Sequence, residues 1–196
     1  MTQNDTSIIE LRGAVPLSHF FLRERVGEGD RVADATCGNG RDTLLLARLV
    51  GPAGKVWAFD VQEEALAATR DLLAGEGCLS RVELVAAGHE RLAHFVGEPL
   101  RVALFNLGYL PGGEKAIVTR PETTRAALAA ALDLLLPGGL LLVVIYTGHP
   151  GAREEEEAVI SWGDGLDPRR FNVWTARQQN RSHAAPYLLV VEKGGR

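Results

Sequence analysis

Residues 31 to 43, RVADATCGNGRDT, confine the chain to a narrow set of folds. An apolar run ends in Asp34, passes at once into a turn built on Gly38 and Gly40, and then opens a helix. Glycine accepts positive φ cheaply and lets a ligand come close to the backbone. Strand, glycine turn and helix in this order begin a βαβ unit, and open α/β sheets bind ligands at the carboxyl ends of their strands, where Asp34 falls. The next apolar run, KVWAFD, ends about twenty residues further on in Asp60, a carboxylate placed to accept hydrogen bonds from both hydroxyls of a ribose. The pattern predicts a cofactor that carries a nucleoside.

Two cofactor classes use such a layout. A dinucleotide site wants G-x-G-x-x-G, its last glycine for close helix packing and its helix N-terminus facing a pyrophosphate. Here Thr43 stands where that glycine belongs. A carboxylate just ahead of the loop repels a pyrophosphate but suits a ligand bearing an ammonium and a sulfonium. S-adenosylmethionine carries both cations and is the expected cofactor; an NAD-dependent oxidoreductase is the alternative.

The apolar runs 32–35, 56–59, 82–86, 102–105 and 140–146 read as strands buried on both faces. Helical patterns lie between most of them. One begins near Arg41 and stops at Gly51-Pro52; another opens on Glu63 and Glu64, where carboxylates complement the helix dipole. An alanine- and leucine-rich helix over about 122–136 ends at Pro137-Gly138-Gly139, read as a sharp turn into the fifth strand. Repeated βα units of this kind imply a doubly wound, mostly parallel sheet with helices on both faces. The last two runs, 171–177 and 187–192, have no helix between them and predict a C-terminal antiparallel hairpin, seven strands in all. A chain of 196 residues is expected to form one domain, with 1–28 as a helical N-terminal extension.

Composition excludes several classes. No uninterrupted apolar run is longer than 140–146, which falls far short of the roughly 20 residues that cross a bilayer. The polar, acidic start MTQNDTSIIE has no signal-peptide pattern, so a cytoplasmic location is expected and no membrane partner. Cys37 and Cys78 lie in no metal-ligand spacing, and no metal site is expected. A net charge of −4 argues against wholesale adhesion to nucleic acid. Residues 167–196 nonetheless carry six basic side chains against two acidic ones, enough to bring a phosphate backbone near the site or simply to form a solvated surface.

The fourth strand leads into LFNLGYLPGGEK, which places Asn106 and then Tyr109 on the rim opposite the donor turn. This resembles the (D/N)-P-P-(Y/F) element of amino-group methyltransferases, with Leu107 and Gly108 in place of both prolines. Taken with DATCGNGRDTLLLA, VTRPETT, IYTGHPGAREEEEAV and NRSHAAPYLLVVEK, the chain resembles along nearly its whole length the family labelled putative rRNA methylases. The resemblance implies a class I methyltransferase fold and S-adenosyl-L-methionine as donor, with S-adenosyl-L-homocysteine as product. It implies as acceptor the exocyclic amine of 5-aminomethyl-2-thiouridine at the wobble position of tRNA. The partner would be the anticodon loop; a homodimer is left open. By position, Asp34, Ala35, Thr36, Cys37, Gly38, Asn39, Gly40, Asp42, Thr43, Asp60, Val61, Gln62 and His89 fall on the cofactor site. Asn106, Leu107, Gly108 and Tyr109 fall on the catalytic element, where a side-chain oxygen and a backbone carbonyl accept from the target amine and the ring stacks on the base. Family members are expected to carry a polar residue before His89, where this chain has Ala87-Gly88.

Lys115, Arg120, Tyr146, His149, Asn180, Arg181 and His183 are the candidate substrate-binding residues, and either His149 or His183 is suited to carry off a proton. His19, in PLSHFFLRERV, is expected to pack near the site, and Glu154 to Glu157 to form an exposed first turn of a helix. Methylation of rRNA or of a small amine, and RNA binding without catalysis, are the remaining alternatives.

Overall fold

The structure, a computed structural model, describes residues 10–108, 119–148 and 151–195. Its strands are β1 (Arg31–Asp34), β2 (Lys55–Asp60), β3 (Val82–Ala86), β4 (Leu100–Leu107), β5 (Leu135–Ile145), β6 (Phe171–Ala176) and β7 (Tyr187–Lys193). They form one sheet in the order β3-β2-β1-β4-β5-β7-β6. The pairs among β1 to β5 are parallel, and β7 runs antiparallel to both β5 and β6. The expected fold class is therefore observed, with the antiparallel strand slotted between β5 and β6.

Helices cover both faces, as the nearly continuous apolar strands require. Alternation along each strand divides the core. Val32, Val56, Val102, Leu104, Leu142 and Val190 face α1 (Ala14–Arg25), α2 (Arg41–Val50) and α3 (Glu63–Gly75). Trp57, Phe59, Ala103, Phe105, Val143 and Leu189 face the short α4 (Leu92–Phe95), α5 (Pro121–Leu134) and α6 (Ala152–Asp164). Within the segment expected as an extension, α1 is part of this layering: it places Leu22 fully in the core, and Arg25 bonds both the Gly138 carbonyl and Glu192.

Two expectations need correction. Pro137-Gly138-Gly139 does not precede the fifth strand but lies inside it. Pairing jumps from Leu100↔Leu135 to Val102↔Leu140, so the extra residues on β5 loop out without ending the strand. Gly139 permits this, since a Cβ there would sit 2.9 Å from the carbonyl oxygens of Arg101 and Leu136. In the acidic run, Glu155 is buried, for reasons that belong to the site.

The parallel order has one functional consequence. Asp34, Asp60, Ala86, Leu107 and Ile145 all end their strands at a single rim.

Candidate active site

A cavity of about 460 Å³ opens at this rim, within the range of about 300–1,000 Å³ common for small-molecule sites. It is walled by the β1 turn (Ala35, Thr36, Gly38), the end of β2 (Phe59 to Gln62) and the segment after β3 (Ala87 to Glu90). Asn106, Leu107 and Gly108 close it from β4, joined by Thr119, Arg120, Thr123 and Tyr146. Carboxylate and amide thus stand at opposite ends of one hollow with apolar walls between.

Asp60 is fixed by its neighbours. One oxygen accepts from the Gly38 N–H at 3.0 Å and the other from the Gln62 N–H at 3.0 Å. Each oxygen keeps lone-pair capacity for a further donor. The turn that supplies Gly38 is held from beneath, where Thr69 of α3 donates to the Gly38 carbonyl at 2.9 Å.

Asp34 behaves differently from expectation. Strand parity sends its side chain to the same face as Val32, beneath the first turn of α2, and it is fully buried away from the cavity wall. There it accepts from Thr43 Oγ1 at 2.6 Å and from the Thr36 N–H at 3.3 Å. It shapes the turn and does not face the cavity. Burial, reinforced by nearby Asp42, pushes its carboxyl up to about 7. Between its ordinary value near 4 and about 7, the unfolded chain has lost this proton while the folded chain keeps it. Folding stability from this group therefore falls as pH rises through that window, by about 1.4 kcal/mol per unit. Urea unfolding of the wild type and of Asp34→Asn between pH 4 and 8 should show the wild type losing ground to the variant as pH rises; a pH-independent difference would contradict the assignment.

Of the other residues expected at the cofactor, Ala35, Thr36, Gly38, Val61, Gln62 and His89 line the cavity, whereas Cys37, Asn39, Gly40, Asp42 and Thr43 do not. Cys37 and Thr43 are turned into the core and Asn39 out to solvent. Burial, with Asp34 and Asp60 adding to it, pushes the Cys37 thiol up, so it stays protonated and is no nucleophile. His89 is buried edge-on against Phe105, and burial lowers its basicity, which keeps the ring neutral.

Asn106 is anchored through both backbone and side chain. Its N–H donates to Thr36 Oγ1 at 2.7 Å, and its side-chain Nδ2 donates to Asp42 Oδ2 at 2.9 Å. The other oxygen of Asp42 lies 2.6 Å from His19 Nε2. A carboxylate accepts only, so Asp42 fixes which end of the amide faces it and leaves Asn106 Oδ1 as an acceptor with no partner among the described residues.

Beyond Asn106 the chain is held by a group that sequence reasoning missed. Gly108 donates its N–H to Thr119 Oγ1 at 3.0 Å and accepts from the Thr119 N–H at 3.1 Å. Thr119 in turn donates to Glu155 Oε2 at 2.6 Å, and Thr124 of α5 donates to Glu155 Oε1 at 2.7 Å. Glu155 therefore ties Thr119, and through it Gly108 at the end of β4, to α5 and α6, which explains why it leaves the solvent face. Its only sequence signal was the VTRPETT segment that supplies its two threonines.

Arg120 and Tyr146 line the cavity, and burial, then the Asp42 charge, keep the Tyr146 phenol protonated. Asn180, Arg181 and His183 are exposed and do not line it. They lie on the loop whose Ala184 carbonyl accepts from Thr147, next to Tyr146, so the β6–β7 connection reaches the same rim at one remove. Tyr109, Lys115 and His149 lie outside the described residues. Among the described residues, no cluster of His, Cys, Asp and Glu is arranged to hold a metal.

Comparison with known proteins is consistent with this geometry. The family model described as "Putative rRNA methylase" matches residues 56–192. A relative from Arabidopsis thaliana, named tRNA (mnm(5)s(2)U34)-methyltransferase, chloroplastic, is 44% identical over 190 residues, 92% of this chain and 69% of its own. The crystal structure of a putative rRNA-methylase from Clostridium thermocellum superposes with a TM-score of 0.91 at 41% identity, covering 94% of this chain and 99% of that one. A putative methyltransferase from Streptococcus mutans, solved in complex with SAH, gives a TM-score of 0.86 at 38% identity over the same shares.

Proposed function

Because this chain belongs to the putative rRNA methylase family, we propose that it methylates the exocyclic amine of 5-aminomethyl-2-thiouridine at the wobble position of tRNA. It is a methyltransferase that uses S-adenosylmethionine. The observation that carries the reading is the placement of Asp60 and Asn106 on one cavity, the first suited to a ribose and the second to an amine.

The residues present fit the cofactor. Asp60 is held with both oxygens ready for vicinal hydroxyls, Phe59, Val61 and Ala87 offer apolar surface for a base, and the Gly38 turn allows close backbone approach. When bound, the cofactor supplies an electrophilic methyl group on a sulfonium.

The chain's own part is to select and aim the amine. An alkyl amine is mostly protonated at neutral pH, and only the neutral form has a lone pair to offer. Ala35, Phe59 and Leu107 line the hollow with apolar surface that disfavours the ammonium. Asn106 Oδ1 accepts an amine N–H and so turns the lone pair toward the donor end; positioning of this kind is worth roughly 7–11 kcal/mol in well-oriented systems. Tyr146 offers an aromatic surface in the cavity for the uracil ring, with stacking worth about 1–3 kcal/mol. Arg120, exposed on the rim, is placed for a phosphate.

The anticodon loop, whose bases are already unpaired, is the part of tRNA we assign to this rim. Such a substrate supports a cytoplasmic place of action, although the plant relative is named as chloroplastic. No described helix is long and apolar enough to cross a membrane.

The test is direct. Purified protein with labelled donor should methylate tRNA that carries the 5-aminomethyl group, and nucleoside mass spectrometry should find one added methyl on that base. Label in rRNA or in free amines with none in tRNA would replace this reading. Asp60→Asn leaves one backbone N–H without its acceptor and removes a charge-assisted contact, so SAH affinity should fall by about tenfold or more. Calorimetry showing unchanged affinity would remove Asp60 from the cofactor site.

A further inference from the structure

Asn106 can present either of two chemically opposite ends to the cavity, and only one accepts from an amine. A primary amide rotated by half a turn would offer Nδ2 donors to the target nitrogen and would compete for its lone pair. Local packing barely distinguishes the two orientations, since the oxygen and nitrogen ends of an amide are nearly the same size. The choice is therefore made by hydrogen bonding, and the partner is Asp42, 2.9 Å from Nδ2.

Asp42 is well placed for this. It is the second residue of α2, in the first turn, where the helix dipole favours a negative charge. It is partly buried, does not line the cavity, and is held from behind by His19 Nε2 at 2.6 Å. Facing a carboxylate, that ring nitrogen must be the donor. The chain of contacts thus runs from α1 through the start of α2 to the tip of β4. Each member has its hydrogen-bonding sense set by the next.

We propose that Asp42, steadied by His19, is a positioning residue that locks the Asn106 amide with its carbonyl oxygen toward the acceptor amine. This rests on the methyl-transfer reading for its purpose, but the lock itself is a property of the folded chain. Asp42 serves the acceptor end of the site, not the cofactor end where motif spacing puts it. His19, expected from the sequence only to pack near the site, acts here through Asp42.

The experiment has two arms. In the first, the side-chain amide protons of Asn106, identified by their loss in Asn106→Ser, are followed by ¹H–¹⁵N NMR. One of them should lie downfield of the other asparagine side-chain protons in the wild type and return to the common range in Asp42→Ala. In the second, steady-state turnover on aminomethyl-tRNA is measured beside SAH affinity and Tm. Asp42→Ala should lower kcat about 100-fold, the scale expected when a reacting group is misaligned. SAH affinity should stay within about threefold.

Asp42→Asn, which can still accept from Nδ2 but no longer forbids the reversed amide, should recover part of that loss. His19→Ala should lose less than Asp42→Ala, and His19→Gln, which keeps a donor, less again. An Asp42→Ala enzyme with wild-type kcat overturns the proposal. So does a loss matched by equally weakened SAH binding, or an Asn106 resonance indifferent to residue 42. If the wild type methylates no aminomethyl-tRNA while the downfield proton is present and depends on Asp42, the function falls and the lock stands.

Discussion

Asn106→Ala is expected to lower the rate of methyl transfer by about 100- to 1,000-fold, the usual result of deleting one hydrogen-bonding group that acts on the reacting centre in a water-poor site. SAH affinity should change by less than about threefold, because the side chain faces the acceptor end of the cavity and the cofactor's ribose is assigned to Asp60 on the far wall. The substitution also strips Asp42 of one donor, yet His19 and the α2 first turn still support that carboxylate, so the fold should survive. Single-turnover kinetics with saturating donor separates the two quantities. A rate within tenfold of wild type would mean that the amine is aimed by something other than this amide. A parallel loss of SAH binding would move Asn106 to the cofactor.

The second large effect concerns stability. Gly40 opens α2 at φ 78°, and a Cβ there would lie 2.9 Å from the Thr69 Cα and 2.8 Å from its Oγ1. Gly40→Ala therefore combines left-handed strain of roughly 1–2 kcal/mol with overpacking of about 1–3 kcal/mol against the backbone of α3. For a chain of this size each kcal/mol lowers Tm by about 2–4 °C, so a drop of roughly 5–15 °C is expected. Since Thr69 also bonds the Gly38 carbonyl, cofactor binding should weaken in the same variant. Thermal unfolding with and without SAH reads both. A Tm within about 2 °C of wild type would show that α3 yields more easily than its packing implies.

Much of this molecule was legible in the residues, and what was not has identifiable causes. Strand order and the terminal antiparallel pair follow from apolar runs whose spacing leaves room for helices in all but the last connection. Asp60 and Asn106 announce themselves because a polar residue at the end of a buried strand has few uses other than binding. Asp34 looked the same by that argument, but a shift of one position along a strand reverses the face, and the short β1 turns its carboxylate under α2. Glu155 stands among four consecutive glutamates, and composition does not separate the one that faces two threonines from its neighbours. The contact of His19 with Asp42 joins residues 23 apart through the packing of two helices, which periodicity does not encode. The outward loop of 136–139 within β5 has the sequence of a terminator, because proline and glycine usually end an element.

The seat of α1 on the sheet has a bearing on synthesis. This helix carries His19 to the site, but Arg25 at its end is bound to Glu192 on β7, 167 positions away. Part of the seat of α1 is thus supplied by a strand made long after the helix itself. Contacts of such long reach close slowly, because a large loop must be ordered before they form. The settling of α1, and with it the brace behind Asp42, therefore draws on a strand far removed in sequence.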